Sequence, residues 1–311
     1  MSLQDLLQGR MPRIFDRLRG GRDPSLRLGK GIPTIGVASG KGGTGKTFCT
    51  VNLGVLLAGE RERVTVLDAD LGLGNAHLLL GLRPTKNLQD FLEERSGLRE
   101  LLQVSKYGVD VLPGGSGISR LCQLEDVEMR RLARSLSGEL PRARTLLVDS
   151  AAGISPQTLK FLIAADLVLL VVTPEVTSLT DAYAMIKCLH LRGMESRIAV
   201  LVNRADDEGQ ALEAMHRVQE VAKRFLDLHV EGCGWVPEDP AVRGALASRI
   251  PIVVRAPHAP ASRGLRLCAQ RLEEMLIGLP ARRTFPSRVP GRSASAFSET
   301  GGRGGRRRRT R

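Results

Sequence analysis

Residues 40–47, GKGGTGKT, place four glycines and two lysines within eight positions. The spacing satisfies G-x-x-x-x-G-K-[ST], a loop whose glycines let backbone N–H groups crowd a phosphate with no Cβ in the way. It lies between an apolar, β-branched run and a helical pattern, so the positive end of a helix dipole also points at it. In such a loop Lys46 pairs with the β- and γ-phosphates of a nucleoside triphosphate, and Thr47 offers its hydroxyl to Mg2+. Gly40, Lys41, Gly42, Gly43, Thr44, Gly45, Lys46 and Thr47 are therefore the candidate phosphate site. Lys41 adds a second ammonium to the loop, which is costly unless that charge faces phosphate or solvent.

Two further segments bring carboxylates. The apolar run RTLLVDS (144–150) ends in Asp149, with Gly153 in the loop beyond. VTVLDADLGLGN (64–75) puts Asp68 at the end of a second apolar run, followed closely by Asp70. A lone Asp at a strand end is commonly a turn or capping residue. Three of them beside a phosphate loop, at the C-terminal ends of adjacent strands where open α/β sheets bind ligands, point to a metal and nucleotide site.

These residues need a parallel sheet to position them. Apolar runs alternate with helical patterns from residue 32 to about 277. Strands are predicted at 32–39, 63–68, 109–113, 144–150, 166–173, 196–203 and 228–236, and helices near 46–59, 124–137, 155–163, 177–192, 207–226 and 261–277. The fold class is α/β, a doubly wound, mostly parallel sheet with helices on both faces. The last helix lines up Leu265, Cys268, Ala269, Leu272, Met275 and Leu276 on one stripe.

The 311 residues, 42% hydrophobic and 3% aromatic, suffice for one large domain. Their net charge of +13 is unevenly spread: residues 31–280 carry 29 basic and 29 acidic side chains, whereas 281–311 carry ten Arg against Glu299. Any polyanion contact thus moves from the body to the ends. The division is a basic N-terminal extension (1–30), a folded domain (31–279) and a disordered Arg-rich tail (280–311). Five cysteines with no C-x-x-C pair, and five histidines without metal-ligand spacing, support neither a disulfide framework nor a zinc site. With no signal-like or membrane-spanning run, a cytoplasmic location is expected.

With Lys41 in place the loop reads K-G-G-x-G-K-T, and over roughly residues 30–278 the chain resembles the MinD/ParA family of deviant Walker A ATPases. The resemblance implies a MinD-like P-loop NTPase fold for 31–279, ATP and Mg2+ as cofactors, and slow, Mg2+-dependent, partner-stimulated ATP hydrolysis. It implies a chain that is monomeric without ATP and forms a homodimer face to face around two ATP molecules, with Lys41 reaching the partner's nucleotide. Asp70 then holds or polarises the attacking water, and Thr47, Asp68 and Asp149 form the metal site. Adenine is placed against Asn203, which ends SRIAVLVN (196–203), and against Pro237 and Glu238 in GWVPEDPAVRGAL (234–246). The guanine-specific N-K-x-D is absent, which favours ATP over GTP.

LPGGSGIS (112–119), VVTPEVTSLTDAYAMIK (171–187) and PHAPASRGLRLCAQRL (257–272) together look like the FlhG group, also called FleN or YlxH, MinD-like ATPases that control flagellar number and placement. The partners implied are an FlhF-like GTPase or another flagellar assembly protein, with a peripheral position at the inner face of the cell membrane. Two segments depart from that pattern. QDLLQGR (4–10) only loosely matches the D-Q-A-x-x-L-R motif that stimulates a partner GTPase, and no distinct amphipathic membrane-targeting helix follows Leu279. Read locally, TPEVTSLTDAY is a loop with a helix N-cap at Ser178 or Thr180. The alternative is a ParA-like DNA or cargo partitioning ATPase whose basic tail holds DNA non-specifically; the same tail suits an anionic membrane.

Overall fold

The computed structural model describes residue 28 and residues 31–59, 62–71, 74–115, 124–140 and 143–277. The Arg-rich tail and nearly all of the N-terminal extension lie outside the described residues. Within them the elements are β1 (Thr34–Ala38), α1 (Lys46–Leu57), β2 (Arg63–Ala69), α2 (Ala76–Leu79), α3 (Leu88–Leu92), α4 (Leu98–Leu101), β3 (Gln103–Val104), β4 (Val109–Leu112), α5 (Asp126–Glu139) and β5 (Ala143–Ser150). The second half adds α6 (Pro156–Ile163), β6 (Leu167–Val172), α7 (Val176–Leu191), β7 (Arg197–Ala205), α8 (Glu208–Leu226), β8 (Glu231–Pro237), α9 (Ala241–Ser248), α10 (Ile252–Arg255) and α11 (Pro260–Ile277).

The strands form one eight-stranded sheet in the order β3-β4-β2-β5-β1-β6-β7-β8. All neighbours are parallel except β3, which runs antiparallel to β4 at the edge. A parallel sheet covered on both faces needs apolar side chains in both directions, and β6, LVLLVV, is buried at every position. Its residues divide by the period of two: Leu167, Leu169 and Val171 pack on the face covered by α1, α9, α10 and α11. Val168, Leu170 and Val172 pack on the opposite face against α6, α7 and α8. On that second face α3, α4 and α5 cover Leu67, Leu112, Leu146 and Val148 of the other half of the sheet.

The seven predicted strands and six predicted helices all form, with ends shifted by a few residues. Unanticipated were α2, α3, α4 and β3 between β2 and β4, and α9 and α10 after β8. These run for two to eight residues, too short for a hydrophobic period to declare itself. One had a local signal: Asn87 caps α3, accepting from the Gln89 N–H, while Asp90 accepts from the Asn87 N–H. Ser178 does not cap α7, since its hydroxyl accepts from the Thr173 N–H and the helix begins after Glu175. No helix among the described residues is long and apolar enough to cross a membrane.

Asp239 ties the helices after β8 together. Buried between them, its Oδ1 accepts from the Ala241 N–H at 2.9 Å and its Oδ2 from the Ala261 N–H at 3.0 Å, so one carboxylate serves the first turns of both α9 and α11. Asp239→Ala should lower the unfolding free energy by about 2 kcal/mol, and Asp239→Asn by about half that. Urea denaturation would show this as a lowered midpoint at constant slope.

Candidate functional site

The loop that leaves β1 turns through Gly43 (φ 83°) and Gly45 (φ 84°) before α1 begins at Lys46. Left-handed backbone at Gly45 puts the first-turn N–H groups of α1 at the mouth of the loop. Gly40 has a different requirement: a Cβ there would lie 2.5 Å from the backbone of Asp181 in α7. Gly42 and Gly43 face open space. Beyond the loop Gly153, in left-handed conformation, donates its N–H to the Ser39 carbonyl at 2.9 Å and fastens the segment after β5 to the P-loop.

Lys46, Thr47 and Asp149 converge. Lys46 Nζ is 2.5 Å from Asp149 Oδ1, the Thr47 hydroxyl donates to Asp149 Oδ2 at 2.6 Å, and the Thr50 hydroxyl donates to Oδ1 at 3.0 Å. Asp68 is the register partner of Asp149 on the neighbouring strand, so both carboxylates stand at the same level of the sheet, buried. Asp68 accepts from the N–H of Ala76 at 3.0 Å and of Asp70 at 3.3 Å. Burial, and next the Asp149 charge, push the Asp68 carboxyl up to about 7, against the pull of those two N–H groups and of Lys46. Gly74 is where the loop crosses this carboxylate, and a Cβ there would come within 2.8 Å of Asp68 Oδ2. Asp70 itself is half-buried.

These donors suit a hard cation shared with a polyphosphate. Two carboxylates and a hydroxyl are oxygen ligands of the type Mg2+ takes, and the Thr44 hydroxyl, buried with no protein partner, is an orphaned polar atom inside the loop. Among the described residues no group of three or more His, Cys, Asp or Glu could hold a metal. A cation here would therefore complete its shell with phosphate and water oxygens, the usual habit of Mg2+.

Lys41 lies outside this cluster. It ion-pairs with Glu175 and donates to the Thr177 hydroxyl at 3.0 Å, both at the start of α7 of the same chain. The ammonium holds the Glu175 carboxyl below its ordinary range. Sequence reasoning gave Glu175 and Thr177 no part, although TPEVTS sits in one of the segments quoted above. Arg204 Nε pairs with Glu238 Oε2 at 2.7 Å, and Arg204 and Glu175 also feel each other's charge. The rim thus alternates in sign from Lys41 through Glu175 and Arg204 to Glu238.

Asn203 and Pro237 mark the C-terminal ends of β7 and β8. Asn203 Nδ2 donates to the Thr44 carbonyl at 2.8 Å, an attachment to the P-loop not foreseen from the sequence. The chain at 203–206, Asn-Arg-Ala-Asp, differs from N-K-x-D by Arg204. Asp206, the position that would read guanine, instead accepts from Gln210 Nε2 at 3.0 Å in α8.

The sequence and the fold both have counterparts among known proteins. Residues 35–252 match the CobQ/CobB/MinD/ParA nucleotide binding domain. Antiactivator FleN of Pseudomonas aeruginosa is 38% identical over 242 residues, covering 78% of this chain and 86% of FleN. The flagellum site-determining protein YlxH of Helicobacter pylori is 33% identical over 201 residues, covering 64% of this chain and 68% of YlxH. In three dimensions the cell division ATPase MinD of Pyrococcus furiosus superposes with a TM-score of 0.65 at 27% identity, over 78% of this chain and 99% of that one. A sheet of this order, a loop with two lysines and a matched domain spanning most of the body converge on one assignment: the chain belongs to the CobQ/CobB/MinD/ParA nucleotide-binding family.

Proposed function

We propose that this chain is an ATP-dependent, dimerising switch ATPase that regulates flagellar number or placement. The observation that carries the flagellar reading is similarity to FleN along 86% of that protein's length, joined by similarity to YlxH, whose name denotes a flagellum site-determining protein. The nucleotide reading stands on the P-loop and the buried Lys46, Thr47 and Asp149 cluster.

In this proposal the backbone of residues 40–45 and the start of α1 hold the phosphates, and Lys46 exchanges Asp149 for the β- and γ-phosphate oxygens. Thr47, Asp68 and Asp149 would hold Mg2+, which would neutralise charge on the transferring phosphoryl group. Asp70 orients the water for in-line attack and takes up its proton. Asn203 Oδ1, the acceptor half of an amide whose donor half faces Thr44, meets the adenine amino group, and Pro237 and Glu238 flank the ring. Lys41 leaves Glu175 and Thr177 to reach the nucleotide of a second copy, so turnover depends on dimerisation. A second class of partner, an FlhF-like GTPase or another flagellar assembly protein, ends the ATP state. The Arg-rich tail supplies a reversible electrostatic hold on an anionic membrane; about 1 kcal/mol per Arg near the surface makes even half of its ten arginines sufficient, and dimerisation doubles the tails.

Lys46→Ala should abolish ATP binding, whereas Asp70→Ala should bind ATP and accumulate as a dimer on size-exclusion chromatography. An Asp70→Ala protein that elutes as a monomer in saturating ATP would contradict the switch. Lys41→Ala should keep ATP affinity within a few-fold while losing dimerisation and turnover, measured by calorimetry and phosphate release; unchanged turnover removes the role across the interface. Deleting 281–311 should leave ATP hydrolysis intact and cut sedimentation with anionic liposomes, as should raised salt on the full chain. Sedimentation with DNA in place of liposomes would favour the ParA-like alternative.

A further inference from the structure

Asn203 and the P-loop meet through a contact that bears on phosphate binding itself. The Asn203 side chain is buried, and its Nδ2 donates at 2.8 Å to the carbonyl of Thr44, the residue before the left-handed Gly45. Because a trans peptide places its C=O and the next N–H on opposite sides, fixing the Thr44 carbonyl toward Asn203 fixes the Gly45 N–H away from it. Glycine adopts positive and negative φ about equally well, so this peptide plane can turn over unless something holds it. Turned over, it would aim a carbonyl oxygen where an N–H had been, and carbonyl oxygen repels phosphate. The fit is close enough that a Cβ on Gly45 would lie 2.3 Å from Asn203 Nδ2, so the brace leaves no room for a side chain at position 45.

The strand end is shaped to deliver this amide. The ladder between β7 and β8 slips between Asn203 and Ala205, and the residue skipped, Arg204, is left-handed at φ 61°. A non-glycine residue in that conformation is held there by its surroundings, here by the ladder that closes again just past it, where the Glu238 N–H donates to the Ala205 carbonyl at 2.9 Å. The bulge turns the end of β7 relative to β8, as bulges beside binding sites do.

We propose that Asn203 is a positioning residue for the phosphate site: it locks the Thr44–Gly45 peptide so that the P-loop presents N–H rather than C=O to the phosphates. The inference rests on the nucleotide-site reading above and extends it, since an amide assigned to the base would then govern the opposite end of the ligand. The probe that separates the two roles has no base. Magnesium tripolyphosphate and magnesium ATP would be titrated into the full-length protein, Lys46→Ala and Asn203→Ala by calorimetry. Tripolyphosphate affinity should fall about tenfold in Asn203→Ala, the effect of one buried hydrogen bond, and ATP affinity at least as much. Tripolyphosphate binding unchanged while ATP weakens would overturn the proposal and leave Asn203 a base contact alone. Wild-type protein that binds ATP but not tripolyphosphate overturns it as well. If Lys46→Ala binds tripolyphosphate like wild type, the phosphate-site reading itself fails, a result distinguishable from failure of the brace. Should Asn203→Ala not fold, Asn203→Ser, too short to span to the loop, takes its place in the same titrations.

Discussion

Two carboxylates buried side by side at the ends of β2 and β5 set the terms for everything around them. Ionised Asp68 and Asp149 repel each other where little water screens them, so each needs its own compensation. Asp149 takes Lys46 and two threonine hydroxyls, all from α1, which fixes the first turn of that helix and the loop before it. Asp68 takes backbone N–H groups from Asp70 and Ala76, which folds the segment after β2 back over the strand end. The P-loop and the segment carrying Asp70 are therefore organised by one electrostatic problem. A divalent cation at the same place would relieve it and free Lys46 for other anions.

The rim is built differently. Its charges are paired one by one through exposed contacts, Lys41 with Glu175 and Arg204 with Glu238, which water and salt weaken. Contacts of that kind exchange easily, in contrast with the buried Lys46 pair.

The buried half of this arrangement was legible in the sequence because each feature is local or periodic. GKGGTGKT lies within eight residues, and Asp68 and Asp149 each close an apolar run, so strand ends and carboxylates could be read together. What escaped was long-range or short. Lys41 meets Glu175 across 134 positions and Asn203 meets Thr44 across 159, distances over which no spacing rule operates. Short helices such as α3 and α9 take their starts from side chains that accept first-turn N–H groups, Asn87 for the one and Asp239 for the other, which no hydrophobic period announces. Asp206 is a related case: its residue type suits a base-reading position, and only its bond to Gln210 shows it turned elsewhere.

The position of β1 in the middle of the sheet has a consequence for biosynthesis. Its neighbours are β5 and β6, so Thr34 pairs with Leu146 and Ile35 with Leu167, residues made more than a hundred positions later. At about 5–20 residues per second, the strand that carries the P-loop waits on the order of ten seconds after leaving the ribosome before either flank exists. Through that interval TIGVA is an unpaired apolar segment, the kind that holdase chaperones bind and that aggregates when they are scarce.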